Sequence, residues 1–401
     1  MLSMLKLPCS GGEIIVIGKK AEDHYRTWEE IFVQHTLVSA DIDIEQNDVV
    51  YLNLTSGITG IPKAAITTHA NIYWNTLSAV ESLKLSHDDV HLCMFPVFGH
   101  PHELFARPLF MGGTIVLIDN ISPKAIVRAI WNHGVTCMMA TASIYLSLVR
   151  YYGSHSLNLK TLRIAESGGM HTSSTLVQNF RESFKVPIVP VWGSTETAGI
   201  SLVSPVDGLY RPNSTGKPCA YYEIKIVGED GRELGPGEIG EMAIKGPAVC
   251  SRYYGNPEET AKHMRDGWFF TGDLAKKDSD NYFYFISRKS RMMKVAGLKV
   301  FPCEIEEVLN NHPDIAEAVV VKVPDRSRGE APKAVIVLKD GAEIGKSEIR
   351  EYCKERMSRY KVPRVIEFRN ELPKNPGGKI LYRKLERMVD SAFAKASADK
   401  G

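Results

Sequence analysis

The chain lacks any C-x-x-C pair: its seven cysteines, Cys9, Cys93, Cys137, Cys219, Cys250, Cys303 and Cys353, are scattered and odd in number. That spacing excludes a zinc ribbon or a disulfide scaffold and implies reduced thiols in a cytoplasmic protein. No apolar run approaches the ~20 residues that a membrane-spanning helix needs. The start, Met1 to Leu7, is too short and weakly apolar before Pro8 to be a signal peptide. Charge of one sign is not in excess either. With 49 basic and 47 acidic residues the net charge is +2, which leaves no electrostatic footprint for nucleic acid. A small molecule is the expected partner.

What the chain does have is 401 residues with 44% hydrophobic composition, enough for two to three domains at ~150 residues each. From about residue 10 to 205, short β-rich runs alternate with amphipathic stretches. Strands are expected at Glu13 to Ile17, Val49 to Leu54, His91 to Phe95, Thr114 to Ile118, Thr136 to Ala140, Arg163 to Ser167 and Val186 to Val191. Helices are expected at Ser122 to His133, Ala142 to Tyr152 and Ser173 to Phe184. This predicts an α/β class with a mostly parallel sheet. From Ile224 to Lys245, strands joined by glycine turns predict a small β-rich subdomain. Gly235 to Gly240 spells G-x-G-x-x-G but runs into the strand-like Glu241 to Lys245, so it is not a dinucleotide site. After the basic cluster Arg288 to Arg291 the rhythm becomes helix, strand, strand, helix, at Cys303 to Asn311, Ala316 to Val323, Ala334 to Leu338 and Lys346 to Met357. That predicts a compact α+β C-terminal domain. The Ala, Lys and Ser-rich end, 391–401, should fray.

One loop concentrates chemistry. Leu54 to Ala64 follows an apolar run and carries the hydroxyls of Thr55, Ser56 and Thr59, the glycines Gly57 and Gly60, and Lys63. Glycines let backbone N–H groups approach phosphate oxygens, hydroxyls add donors and the lysine adds a point charge. It is not the P-loop of the NTPases, because Pro62-Lys63-Ala64 stands where that motif has Gly-Lys-Ser/Thr. Alone, the composition fits an ordinary polar turn equally well.

Five further segments occur in order: Trp192-Gly193-Ser194-Thr195-Glu196 after an apolar strand; Thr271-Gly272-Asp273; Arg288; Lys294 to Glu306, with Ala296-Gly297 inside it; and Pro373 to Ile380, with Lys379. With the first loop, this set strongly resembles the signature motifs of the adenylate-forming superfamily: acyl-CoA synthetases, luciferases and peptide-synthetase adenylation domains. The resemblance runs from about residue 45 to residue 388. It implies a large N-terminal domain with mostly parallel sheets, 1–287, incomplete at its N-terminus and carrying a β-rich subdomain at 206–287. A small mobile C-terminal domain, 288–390, would pivot near 288–291, at Ser290. It also implies ATP, Mg²⁺ and coenzyme A. A carboxylate would be joined to the α-phosphorus of ATP, and the acyl-adenylate would then be attacked by a thiol.

The resemblance assigns roles residue by residue. The loop Thr55 to Lys63 would hold the β and γ phosphates, Gly168-Gly169 would flank adenine, and Trp192 to Glu196 would complete the nucleotide site. Glu196, with Thr195 beside it, would help hold Mg²⁺, which prefers oxygen ligands. Asp273 would accept the ribose hydroxyls and Arg288 would donate to the same sugar. Lys379 would neutralise the α-phosphate during adenylation, and Ala296-Gly297 would line the pantetheine path. Phe98, His100 and Val191 are acyl-pocket candidates. Ile58 stands where threonine is usual, Ala64 where glycine is usual and Ser290 where Asp or Lys is usual; His100 comes one position late. The expected activity is an acid-thiol ligase for a fatty or similar apolar acid, since Met94 to Phe110 is rich in Phe, Met, Leu and Pro. The alternatives are an adenylation domain that loads a carrier protein, an enzyme that stops at the adenylate, and an inactive fragment.

Overall fold

Four-residue apolar strands alternating with helices build the centre of the protein, and the pattern is that of a parallel sheet covered on both faces. The computed structural model describes residues 15–16, 26–27, 42–55, 62–94, 101–153, 157–170, 172–207, 210–374, 380–382 and 384–386. Two compact units divide the chain, residues 1–45 and 46–401. The first contributes β1 (Ile15–Val16) and β2 (Arg26–Thr27), paired parallel.

In the second unit, β3 (Val49–Thr55) and β4 (Lys63–Thr68) form an antiparallel hairpin. Helix α1 (His69–Leu83) follows at once, its start fixed by a reciprocal cap between Thr68 and Asn71. Next come β5 (Val90–Cys93), α2 (Pro101–Met111), β6 (Thr114–Leu117), α3 (Pro123–His133), β7 (Cys137–Ala140), α4 (Ala142–Tyr152), β8 (Ile164–Ser167), α5 (Ser174–Phe184), β9 (Ile188–Ser194), β10 (Gly199–Val203) and β11 (Lys217–Pro218). The sheet runs β11-β10-β9-β8-β7-β5-β6. It is parallel from β9 to β6 and antiparallel at β10 and β11. The strands and helices expected from sequence are present, with shifts of a few residues at their ends. The largest is at β20 (Gly329–Leu338), which begins at Gly329 and not at Ala334 because its pairing with β19 (Ile315–Asp325) continues to Asp325. Helix α1 and helix α2 were not expected.

Buried Ile126, Ile130, Tyr145, Phe180 and Phe184 cover one face of this sheet from α3, α4 and α5. The other face packs Ile164, Val189 and Val191 against α1 and against a second sheet built from β12 (Glu223–Val227), β13 (Gly240–Lys245), β14 (Met264–Arg265), β15 (Trp268–Lys277) and β16 (Phe283–Arg288). Helix α6 (Pro257–His263) precedes β14. Gly240 opens β13, the strand expected over Glu241 to Lys245. The third sheet, β18-β17-β20-β19 with β21 on β20, comprises β17 (Met293–Val295), β18 (Leu298–Val300), β19 (Ile315–Asp325), β20 (Gly329–Leu338) and β21 (Val365–Phe368). With α7 (Pro302–Asn310) and α8 (Lys346–Arg356) it encloses its own core of Met293, Ile305, Val320, Ile336 and Ile349. No helix among the described residues is long and apolar enough to cross a membrane.

Two buried polar locks hold the first sheet. Arg107 of α2 reaches Glu166 of β8 through one nitrogen, at 3.0 and 2.9 Å from the two carboxylate oxygens, with both side chains almost fully buried. At the starts of β5, β7 and β8, Asp89 accepts from the Ser86 N–H at 2.8 Å, the Thr136 hydroxyl at 2.7 Å and Arg163 Nε at 2.8 Å. Asp89, His91 and Cys137 cluster closely enough to suggest a metal centre. The Arg163 guanidinium already stands in the cation's place, so the cluster reads as a structural staple.

Burial, with the nearby Arg107 charge, lowers the pKa of His91 from 6.5 to about 4, and its Nε2 is buried without a hydrogen-bond partner. A histidine held neutral in this way binds its proton more readily unfolded than folded. Stability is therefore complete above about pH 6.5 and declines as pH falls towards about 4, by roughly 3 kcal/mol at ~1.36 kcal/mol per pKa unit. Urea unfolding between pH 7 and 4 should show this decline in the wild type, and His91→Leu should flatten that part of it.

Candidate active site

The site is assembled where β8 and β9 end. In open α/β sheets ligands bind in the crevice outside the carboxyl ends of the strands, and Gly168-Gly169 and Trp192 to Glu196 leave from there. Gly193 lies so close to β10 that a Cβ would meet the Gly199 carbonyl oxygen at 2.3 Å. Its lack of a side chain therefore has a packing cause. Gly168 similarly abuts Val191, where an added Cβ would stand 2.9 Å from Cγ2.

Beyond β9 the chain makes one 3₁₀ turn, Thr195–Thr197. A reciprocal cap shapes it: the Thr197 hydroxyl oxygen accepts from the Ser194 N–H at 2.9 Å, and the Ser194 hydroxyl oxygen accepts from the Thr197 N–H at 3.3 Å. The Thr197 carbonyl is tied to the Tyr222 hydroxyl at 2.7 Å, and Tyr222 in turn accepts from Asn75 at 2.9 Å. The turn thus aims Glu196 inward, 8% exposed. Its Oε1 accepts from the Tyr253 hydroxyl at 2.7 Å. Burial, then the Glu196 charge, pushes the Tyr253 phenol far above its ordinary range, so it keeps its proton.

Lys63 opens β4 and is also buried, 9% exposed. Its Nζ lies 3.5 Å from the Tyr253 hydroxyl, 4.5 Å from that ring's centroid and 3.3 Å from Glu259 Oε2. Lys63 and Glu196, from motifs far apart in sequence, therefore meet at one tyrosine. Sequence reasoning missed Tyr253 and Glu259. Asn256-Pro257-Glu258-Glu259 has the signature of a helix start, which α6 fulfils with Asn256 as its cap. Nothing in that pattern signals contact with Lys63.

Asp273 occupies the second polar centre. It sits on β15 directly opposite Arg288 on β16 and is 1% exposed. Trp192 Nε1 donates to its Oδ2 at 3.1 Å, and Arg288 Nε lies 2.7 Å from its Oδ1. The expectation that Asp273 and Arg288 both address a sugar meets them paired with each other. The Arg288 side chain is 49% exposed, whereas Asp273 is almost fully buried.

Ala296 and Gly297 form the tip of the β17–β18 hairpin, both at positive φ (51° and 82°), the two-residue turn that suits a right-twisted ribbon. Ser290 is exposed in the turn after β16, with its carbonyl accepting from Lys322. Thr55 ends β3, and Val191 is buried in the core shared by the first two sheets. Ser56, Gly57, Thr59, Gly60, Phe98, His100 and Lys379 lie outside the described residues.

A family model described as AMP-binding enzyme matches residues 6–254, and one described as AMP-binding enzyme C-terminal domain matches 304–379. The chain belongs to the adenylate-forming superfamily. Within it, this is an AMP-forming enzyme of the acyl-CoA ligase group, whose members use ATP with Mg²⁺ and coenzyme A. It is 33% identical to a feruloyl-CoA synthase of Amycolatopsis sp over 351 residues, 86% of this chain and 71% of that protein. It is 34% identical to a 2-succinylbenzoate–CoA ligase of Geobacillus kaustophilus, over 88% of this chain and 73% of that one. Among solved structures it resembles an O-succinylbenzoate coenzyme A synthetase from Bacillus subtilis in complex with ATP and magnesium. The TM-score there is 0.80 at 30% identity, over 90% of this chain and 75% of that chain.

The donors of this adenylate-forming enzyme suit those ligands. Glu196 offers a hard carboxylate oxygen with the hydroxyl residues Ser194 and Thr195 in the same turn, the donor type that Mg²⁺ accepts alongside phosphate. Because the Ser194–Thr197 cap shapes the turn that carries Glu196, Thr197→Val should destabilise the protein by ~1–3 kcal/mol, the cost of a buried donor left unpaired. Urea unfolding would measure it. A midpoint unchanged from wild type would show that the cap does not hold the turn.

Proposed function

We propose that this enzyme is an ATP- and Mg²⁺-dependent acid-thiol ligase that activates a fatty or similar apolar carboxylic acid as acyl-AMP and passes it to coenzyme A. The observation that carries this reading is the meeting of Lys63 and Glu196 at Tyr253, within 3.5 and 2.7 Å of its hydroxyl. A cation from the phosphate loop and a carboxylate fit for a metal are needed together where pyrophosphate departs. Relatives named for feruloyl, 2-succinylbenzoate and long-chain fatty acids support the reaction class and span several acid types.

In the proposed reaction a carboxylate oxygen of the acid bonds to the α-phosphorus as the bond to pyrophosphate breaks. Mg²⁺ bound at Glu196 would supply charge neutralisation for the phosphates. Lys63 would leave Glu259 for phosphate oxygens, and Asp273 would fix the ribose once Arg288 turns aside. Catalysis of this kind is mostly positioning and charge neutralisation. A thiol then attacks the acyl carbon and AMP departs.

Domain movement belongs to the same proposal, with 1–287 and 288–390 pivoting at 288–291. The two parts are bridged by the ion pairs Lys289–Glu241, 2.8 Å, and Lys299–Glu229, 2.9 Å. Three of those four side chains are at least half exposed, so the pairs resist motion weakly. Alternation would bring Lys379 and then the Ala296-Gly297 tip to the site.

Pyrophosphate release should be measured over short, medium, long-chain and aromatic acids, with and without coenzyme A. Fastest release with a fatty or similar apolar acid, and acyl-CoA as product, is expected; equal release with short polar acids would overturn the acyl assignment. Transfer to a phosphopantetheinyl protein in place of free coenzyme A would overturn the acceptor. Asp273→Ala should weaken ATP binding roughly tenfold to a hundredfold, as ~1–3 kcal/mol of hydrogen bonding is lost. Calorimetry on folded protein checks this, and unchanged affinity would remove Asp273 from the ribose.

A further inference from the structure

Tyr253 has more partners than a packing residue needs. It is 2% exposed in a small core with Ala65 and Cys250, beside Met264, a setting that a phenylalanine would fill. Its hydroxyl nevertheless lies between a buried ammonium and a buried carboxylate. Lysine has only protons to give, so at 3.5 Å Lys63 faces the phenol oxygen as donor, and the single phenol proton goes to Glu196 at 2.7 Å. The direction of both contacts is therefore fixed.

The backbone holds this hub from all sides. The segment around Tyr253 zips to β4: the Ile66 N–H donates to the Arg252 carbonyl at 3.2 Å, and the Tyr254 N–H to the Ala64 carbonyl at 2.8 Å. The Tyr253 N–H is held by the Thr260 hydroxyl at 3.0 Å, and the Cys250 N–H donates to the Glu196 carbonyl at 2.8 Å. Elements carrying Lys63, Glu196 and Glu259 thus share one rigid junction with the tyrosine at its centre.

From this geometry we propose that Tyr253 is a positioning residue for the metal–phosphate site: its hydroxyl orients Glu196 towards the divalent cation while its ring and oxygen hold Lys63 ready for the phosphates. With Oε1 committed to the phenol, Glu196 would offer its other oxygen to the cation. Glu259 retains Lys63 until phosphate oxygens compete for it. This rests on the reading of Glu196 as the metal carboxylate. Groups that orient a metal ligand typically change metal affinity tenfold to a hundredfold when removed.

The test is Mn²⁺ binding, followed by electron paramagnetic resonance on the full chain with α,β-methylene-ATP, which cannot release pyrophosphate. Tyr253→Phe should raise the Mn²⁺ dissociation constant roughly tenfold or more. In a Glu196→Gln background the same change should add little, since the phenol acts through that carboxylate. Wild-type Mn²⁺ affinity in Tyr253→Phe, or an equal extra loss in the Glu196→Gln background, would overturn the proposal. Wild-type affinity in Glu196→Gln would overturn the reading of Glu196 itself. Should Tyr253→Phe fold poorly, Tyr253→4-aminophenylalanine keeps the ring and an N–H donor. It should bind Mn²⁺ nearly as wild type does, and failure to do so in folded protein counts against the hydroxyl's role.

Discussion

Two carboxylates taken out of water set the terms for everything around them. Asp273 is 1% and Glu196 8% exposed, and a buried carboxylate costs several kcal/mol unless donors surround it. The sequence meets that demand with groups from remote places: Trp192 and Arg288 for one, Tyr253 for the other. Each donor is itself held by secondary structure, so strand register becomes a condition for a tolerable charge. Asp273 faces Arg288 because the first two pairs of the β15–β16 ladder, before a bulge at Leu274/Ala275, set that register. Slipping the pair by one residue would turn the arginine to the opposite face and leave the carboxylate bare.

The same logic explains why the first sheet needs polar groups in its interior. Arg107 reaches Glu166 from a helix on one side of the sheet, and Asp89 gathers Arg163, Thr136 and Ser86 at the opposite end of the strands. Buried pairs of this kind add little net stability, yet breaking one strands a charge. They fix how β5, β7 and β8 lie against each other, and so where Gly168 and Trp192 emerge.

Much of this was legible in the sequence. Period and turn chemistry located the parallel strands and α3, α4 and α5, because each has a clear apolar face and a serine, threonine or glycine at its ends. The chemistry-bearing segments were legible as motifs. Helix α1 went unread because its apolar face is diluted by buried Asn71, Asn75, Thr76 and Ser78, three of which bond to distant carbonyls. Tyr253 was illegible for a related reason: its partners are fixed by the zipping of 252–254 onto β4, a pairing across nearly two hundred residues that no local pattern encodes. The pairing of Arg288 with Asp273 was likewise invisible, although both residues were singled out. Motif reading names the groups but not which of them neutralise each other before a ligand arrives.

The first two sheets share one interior. Val189, Val191, Ile200 and Leu202 of the first interleave with Ile224, Ile226, Met242 and Phe283 of the second, whereas residues 293–366 bury Met293, Val320 and Ile336 among themselves. Among the described residues, the β-rich segment at 206–287 therefore shares its main core with the parallel sheet. The C-terminal sheet owns its core, and we propose that it unfolds as a separate foldon. Heat or denaturant would take the chain apart along that line and not at the boundary between the first and second sheets. The lobe carrying the Ala296-Gly297 tip could thus lose and regain structure while the nucleotide-side strands stay folded.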